Sequence, residues 1–344
     1  MYTTKQRNNH NNRNSSNTTI RLAQAALCAA ALATVLPAVA QWQPERNVEI
    51  VINTAPGSGQ DATGRLIQKI LQERKAVPTS LTVVNKPGGG GAIAYGYLNQ
   101  HQGDGHFVSI ASKSLLTNHI SGRAQVTYTH LTPLAILFEE YITVAVKADS
   151  PIKSGRELID RLKKDPGAYS FGVATSLGNP NHQGVAMALK DAGIDLRKTK
   201  TPVFQSGGNA LTALLGGHVD AVPGSVGLMR KHLEAGSIRL IAVAAPQRLS
   251  GIFASTPTWK EQGANAIVSN WRGMIGPGGM TPAQIAYWDN ALKQLTQSEA
   301  WKKELETNNW ADEYKTSAET RKYMDAEYAE LKGFLTELEL VKTK

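Results

Sequence analysis

The chain has 344 residues, 41% of them hydrophobic and 19% charged, enough to bury a large core in more than one domain and too ordinary a mix for wholesale disorder. Its formal charge of +9 loses meaning once located: Lys5, Arg7, Arg13 and Arg21 stand ahead of residue 41 without one acid, leaving 33 basic against 28 acidic side chains elsewhere. That even balance lacks the one-faced clustering of Lys and Arg that tracks phosphates, and it excludes nucleic acid as the partner.

The polar stretch 1–20, Arg21 and the Ala/Leu-rich run 22–39 read as a signal peptide (1–40), with Ala38-Val39-Ala40 as the small-x-small cleavage signal and a mature start near Gln41. Cys28, the only cysteine, leaves with the leader, and Leu27 before it argues against lipidation. The exported chain then folds by core burial alone, without disulfides. No interior apolar run is long enough to be a membrane span.

From residue 48 the hydrophobic period alternates between two and 3.6. The spacing predicts a strand over 48–53, a helix over 62–73, and strands at 81–84, 107–110, 135–138 and 142–146. A glycine-rich break and a short helix at 95–98 separate the second and third of these strands. After Ser150-Pro151 a second set follows: strand 169–173, helix 183–192, strand 201–204, helix 210–215, strands 240–244 and 267–275. Helices then run from 282 to about 338. Capping boxes mark helix starts at Ser154 with Glu157, at Thr281 with Gln284, and at Thr316 with Glu319. Two α/β blocks, followed by a tail with no sheet of its own, predict two α/β lobes with the tail packed on the first. The lobes are expected to span 41–143 plus 271–344 and 144–270. Two crossings, near 142–146 and 269–272, would join them around a ligand cleft.

Four strand-to-helix turns carry the chemistry. Pro56-Gly57-Ser58-Gly59-Gln60-Asp61-Ala62 can present backbone N–H groups and a positive helix end to an anion. It also matches a relaxed dinucleotide fingerprint, but Asn85 or Lys86 stands where the ribose-binding acid belongs. A plain tight turn, with Asp61 favoured by the helix dipole, is the competing structural reading. Asn85-Lys86-Pro87-Gly88-Gly89-Gly90-Gly91 is costly to order unless positive φ or close approach is required. Thr175-Ser176-Leu177-Gly178-Asn179 and Gln205-Ser206-Gly207-Gly208-Asn209 repeat the arrangement in the second block. Ser112, Gln205, Gly207 and Ser225 complete the candidate ligand contacts. Arg272, beside Trp271 at the second crossing, could grip a carboxylate bidentately or form a salt bridge between lobes, and Lys113 could serve the same end.

Enzyme signatures are missing. No Ser sits in a nucleophile elbow, no His-Glu-x-x-His occurs, the eight histidines lack metal spacing, and adjacent Glu139 and Glu140 point opposite ways in a strand. Neither a metal nor a cofactor is expected.

Taken together, Ala55-Pro56-Gly57-Ser58-Gly59-Gln60-Asp61, Asn85-Lys86-Pro87-Gly88-Gly89-Gly90-Gly91, Gly103-Asp104-Gly105-His106, Leu214-Leu215-Gly216-Gly217-His218-Val219-Asp220 and Pro257-Thr258-Trp259-Lys260-Glu261-Gln262-Gly263 resemble the Bug-type extracytoplasmic receptors of tripartite tricarboxylate transporters, over about 42–340. The resemblance implies a type II periplasmic binding protein fold and a monomeric periplasmic receptor without enzymatic activity. Its ligand carboxylate would be held by the 57–61 and 176–179 loops largely through backbone groups and water, and its partners would be membrane permease subunits. Ala111-Ser112-Lys113-Ser114-Leu115-Leu116 departs from the family's usual Gly-Thr-Ser-Gly-Thr-His type loop. Trp271-Arg272-Gly273 and Phe138-Glu139-Glu140-Tyr141 look closer to tricarboxylate-type receptors than to amino-acid-type ones. Citrate or a related di- or tricarboxylate therefore leads as the ligand, with an aromatic dicarboxylate such as terephthalate as an alternative. A secreted enzyme acting on a carboxylate in the same cleft, with a general base near Asp61, is the rival class, and a sensor-presenting protein is a third reading.

Overall fold

The computed structural model describes residues 1–4 and 42–341. Met1–Trp42 is one unit and Gln43–Lys344 another; the expected leader from residue 5 on, with Cys28 and its cleavage signal, lies outside the described residues. In chain order the second unit contains β1 (Val48–Ile52), α1 (Gly59–Glu73), β2 (Leu81–Asn85), α2 (Ala92–Asn99), β3 (Phe107–Ser112), α3 (Ser114–Ile120), β4 (Leu131–Lys147), α4 (Gly155–Lys164) and β5 (Val173–Ala174). It continues with α5 (Pro180–Asp191), β6 (Val203–Phe204), α6 (Gly207–Leu215), β7 (Ala221–Ser225), α7 (Val226–Glu234), β8 (Ile238–Val243), β9 (Ser269–Pro277), α8 (Pro282–Thr296), α9 (Glu299–Asn308) and α10 (Ser317–Glu337). No described helix is long and apolar enough to cross a membrane.

Local chemistry sets the boundaries. Ser58, Asn179, Ser206 and Thr281 each cap a helix by accepting a first-turn N–H. The Thr281 and Thr316 capping boxes form as expected. At Ser154 only one leg forms, because the Glu157 carboxylate accepts the Lys153 N–H at 2.9 Å instead. β4 is one strand of 17 residues, not the two expected around Phe138-Glu139-Glu140-Tyr141. The acids do not interrupt it, because the Glu139 and Ala311 backbones exchange hydrogen bonds and Glu140 is neutralised by Arg272. The expected strand over 169–173 shrinks to two residues because Ser170 and Phe171 pair only through isolated bridges.

A seven-stranded mixed sheet runs through the unit in the order β2-β1-β3-β9-β4-β7, with β8 also on β4. As far as Tyr141, β4 pairs with β9; from Ile142 it pairs with β7 and β8. The chain returns at Val268, whose carbonyl accepts from Ile142 N at 3.4 Å, and enters β9 at Ser269. These two passages join two α/β lobes. Lobe 1 holds β1–β3, β9, the first part of β4 and the C-terminal helices. Lobe 2 holds the rest of β4, β5–β8 and α4–α7. α10 packs on β4 and α3, with Met324, Leu331 and Leu335 in one core with Trp271, Leu115 and Leu116. Lobe 2 encloses two further apolar cores, one around Phe171 and Trp259 and one around Met229 and Phe253.

Strand direction then places the turns. β1, β2 and β3 are parallel, so their carboxyl ends share one edge, and Ser112 at the end of β3 lies opposite Arg272 near the start of β9. In lobe 2, β5 and β6 are parallel, Phe171 bridges Ala221 in parallel, and the carboxyl end of β7 lies at the junction, with Ser225 opposite Ile142. Both sets of carboxyl-end turns therefore meet where β4 changes partners. In open α/β sheets, that edge is where ligands bind.

Candidate functional site

The lobe 1 wall is built first from the turn between β1 and α1. Gly57 has φ +79° and open space around it, and Ser58 Oγ accepts the Asp61 N–H at 3.2 Å. The Gly59 and Gln60 N–H groups, first in the helix, have no intrahelical acceptor and point out of its positive end. Asp61 is the keystone and faces inward. Its carboxylate accepts from Gly57 N at 2.9 Å, Arg65 Nε at 3.0 Å and Asn85 Nδ2 at 2.9 Å. Burial alone would raise its pKa, but these hydrogen bonds and the Arg65 charge outweigh that and hold the carboxyl below its ordinary range. Asn85 also donates to the Thr54 carbonyl at 3.0 Å, locking the end of β2 to the same turn.

The tetraglycine stretch takes positive φ at Gly88, Gly89, Gly90 and Gly91 alike. A side chain at Gly91 would strike Tyr95 and Asn53, and one at Gly90 would strike Asn118, so close approach as well as φ demands glycine here. Asn118 Nδ2 donates to the Gly90 carbonyl at 2.6 Å and Asn53 Nδ2 to Tyr95 Oη at 2.6 Å. Ser112 is buried and accepts from Gln60 Nε2 at 3.1 Å. The amide oxygens of Asn53, Gln60, Asn118 and Asn270 are buried without a hydrogen-bond partner among the described residues.

The two cations singled out from sequence are both committed. Arg272 Nη2 lies 2.5 Å from Glu140 Oε1, and Asn270 Nδ2 donates to the same oxygen at 3.4 Å. Lys113 Nζ lies 2.8 Å from Glu327 Oε1 on α10, while Glu327 Oε2 accepts from Trp271 Nε1 at 2.5 Å. The four charged residues are all more than nine-tenths buried. One pair joins β4 to β9 beside the crossing, and the other joins the residue after β3 to α10.

Lobe 2 answers with a neutral network. Thr175 sits at φ +59° and Gly178 at φ +79°. Asn179 caps α5 and donates from Nδ2 to the Ala174 carbonyl and to Thr175 Oγ1. Ser176 is buried, its N–H donating to the Ala174 carbonyl at 2.7 Å. Gly178 N donates to His182 Nδ1 at 2.9 Å, and Gln183 Nε2 donates to the Gly178 carbonyl at 2.7 Å. Burial pushes the His182 pKa down to about 4, so the ring is neutral and its Nδ1 is the acceptor. Gln205 is exposed and Gly207 half-buried at the start of α6, while half-buried Ser225 stands at the start of α7. Arg123 Nη1 reaches the Leu177 carbonyl at 3.4 Å, a contact from lobe 1 to the lobe 2 turn.

Asn118, Arg123, His182, Gln183 and Glu327 were not among the candidates drawn from sequence. The positive-φ Gly122 that ends α3 was a readable stop signal for a helix the hydrophobic period did not suggest. Among the described residues, no group of three or more His, Cys, Asp or Glu could hold a metal ion.

Two α/β lobes whose carboxyl-end turns face a common cleft define a solute-binding protein of the periplasmic binding type. The family model described as the tripartite tricarboxylate transporter family receptor matches residues 64–340, and the chain belongs to that family. It is similar to protein BugT of Bordetella pertussis, with 24% identity covering 77% of this chain and 80% of that protein. Two solved structures share the fold. Rpa4515 of R. palustris, solved with adipate, has a TM-score of 0.77 at 21% identity over 85% of this chain and 97% of that one. MatC of Rhodopseudomonas palustris, solved with bound malate, has a TM-score of 0.73 at 20% identity over 84% and 99%. The family and the fold are those of substrate-binding receptors rather than enzymes.

Proposed function

We propose that the chain is exported to the periplasm, captures a small carboxylate between its lobes and delivers it, unchanged, to the permease subunits of a tripartite transporter. Citrate or another di- or tricarboxylate is the ligand class, with terephthalate-like aromatic dicarboxylates as the alternative. The observation that carries this is the convergence, at the Tyr141/Ile142 junction, of helix-starting turns from both lobes, with the Gly59 and Gln60 N–H groups of the first turn left without an intrahelical acceptor. The 57–59 turn and the 175–179 turn each take one side of the carboxylate. Ser112, Gln205, Gly207 and Ser225 line the approach, and Asp61, Lys113 and Arg272 hold the walls in place. In this reading the lobes, 41–143 with 271–344 and 144–270, close because a ligand touching both stabilises only the closed arrangement. Malate and adipate in the two fold relatives favour carboxylates, and the tightly partnered Asp61 disfavours a general base and hence the enzyme reading. A thermal-shift screen against citrate, malate, adipate, terephthalate and acidic amino acids tests it. A ligand at about 1,000 times its dissociation constant adds about 4 kcal/mol of apparent stability. Silence across all the carboxylates sinks the proposal.

A further inference from the structure

Of Arg65, Lys86, Lys113, Arg123 and Arg272, four are spoken for. Arg65 is bonded to Asp61, Lys113 to Glu327 and Arg272 to Glu140, while Lys86 turns back onto the Tyr97 ring at 3.9 Å. Arg123 differs. Its backbone N–H is anchored on the Asn118 carbonyl at 2.8 Å, and Asn118 is itself held by Gly90, so the residue is tied through Asn118 to the tetraglycine turn. Its guanidinium extends to the Leu177 carbonyl, between Ser176 and Gly178 of the opposite lobe. No carboxylate lies within ion-pair distance of it among the described residues, and its side chain is exposed. One long contact to a neutral carbonyl leaves most of the guanidinium's five donors for another acceptor.

Building on the receptor reading, we propose that Arg123 sets the charge class of the ligand by gripping a second carboxylate at the mouth of the cleft while the turn amides hold the first. One guanidinium matches one extra carboxylate, bidentately if the geometry allows. With Lys113 and Arg272 neutralised, a third carboxylate finds no cation, which narrows the di- or tricarboxylate class proposed above to dicarboxylates, selected over both monocarboxylates and citrate. The same contact draws Arg123 and the Leu177 turn together, so a dicarboxylate also favours closure.

Isothermal titration of the purified chain and of Arg123→Gln and Arg123→Lys against matched pairs tests this: succinate with butyrate, adipate with hexanoate, terephthalate with benzoate, and citrate alongside. The wild type is expected to favour one dicarboxylate over its monocarboxylate mate by at least about tenfold, the scale of a charge-assisted hydrogen bond. Arg123→Gln should remove that preference by weakening the dicarboxylate alone, and Arg123→Lys should restore part of it. Equal weakening of both members of a pair would mark Arg123 as a mere strut between lobes and overturn the inference. So would equal binding of the mates by the wild type, or a preference for citrate, and these outcomes leave the receptor reading standing. Binding of no carboxylate overturns both.

Discussion

On the lobe 1 wall the turns are fixed by charge. Asp61 gathers Gly57, Arg65 and Asn85, and Lys113–Glu327 and Arg272–Glu140 brace the floor. On the lobe 2 wall the 175–179 turn is fixed by Asn179, His182 and Gln183, none of them charged near neutral pH. An ionised brace is rigid and loses little to salt when buried, which suits the wall that carries both crossings and α10. A neutral amide network presents no fixed charge to a carboxylate arriving from the other side. If the ligand is an anion, it meets a floor whose charges already cancel, and it is sorted by amides and by Arg123.

The largest effect expected from breaking this contrast is at Glu327. Replacing it with Ala leaves Lys113 charged and more than nine-tenths buried and removes the acceptor of Trp271 Nε1. Loss of one partner from a buried pair costs about 3–5 kcal/mol. Denaturant unfolding should show that loss, and the double variant Lys113→Met with Glu327→Leu should recover the part that comes from the stranded charge, because apolar replacement of both charges also removes their desolvation cost, while Trp271 Nε1 stays without its acceptor. A loss under about 1 kcal/mol for the single variant would mean that water reaches the pair.

Acid should loosen the two walls at different pH. His182 has a native pKa of about 4 against an ordinary 6.5, so below 6.5 the unfolded chain takes up the proton first. Stability from this residue is complete above pH 6.5 and is lost progressively as the pH falls to about 4, by about 3 kcal/mol in all. Asp61, held below the ordinary carboxylate range, keeps its contribution until the pH falls beneath that range. Between pH 6.5 and 4 the 175–179 turn should therefore weaken while the 57–61 turn holds. The wild type measured against His182→Gln isolates the effect, and a difference that stays flat over that window would refute it.

How much of this could be read in the sequence differs between the same two walls. The strand-turn-helix rhythm announced the turns at 56–62, 85–91, 175–179 and 205–209, because glycines and capping residues act locally. Nothing local announced that Lys113 would meet Glu327 or that Arg272 would meet Glu140, partners 214 and 132 positions away; ion pairs of that reach depend on which strands become neighbours. β7 with α7 (221–234) escaped prediction because Pro223 and Gly224 interrupt the β pattern, although the structure pairs Val144 with Pro223 and Thr143 with Gly224. α3 is only seven residues long, too short for its period to stand out, and Arg123 lies just beyond it.

The smallest effect, that of Gly57→Ala, sharpens the comparison most cleanly when set beside Gly178→Ala. Gly57 and Gly178 share φ +79°, but a Cβ at Gly57 meets nothing within 4 Å, whereas one at Gly178 would lie 2.5 Å from Leu335 Cδ2 and 3.3 Å from Leu340 Cδ1. Gly57→Ala should cost about 1–2 kcal/mol, the strain of a left-handed backbone alone. Gly178→Ala should cost that plus about 1–3 kcal/mol of overpacking against the end of α10. In a Leu335→Ala background the extra cost should vanish, bringing Gly178→Ala level with Gly57→Ala. Equal costs in the wild-type background would show that α10 yields freely, and would remove its last turn from the forces that hold the lobe 2 turn against lobe 1.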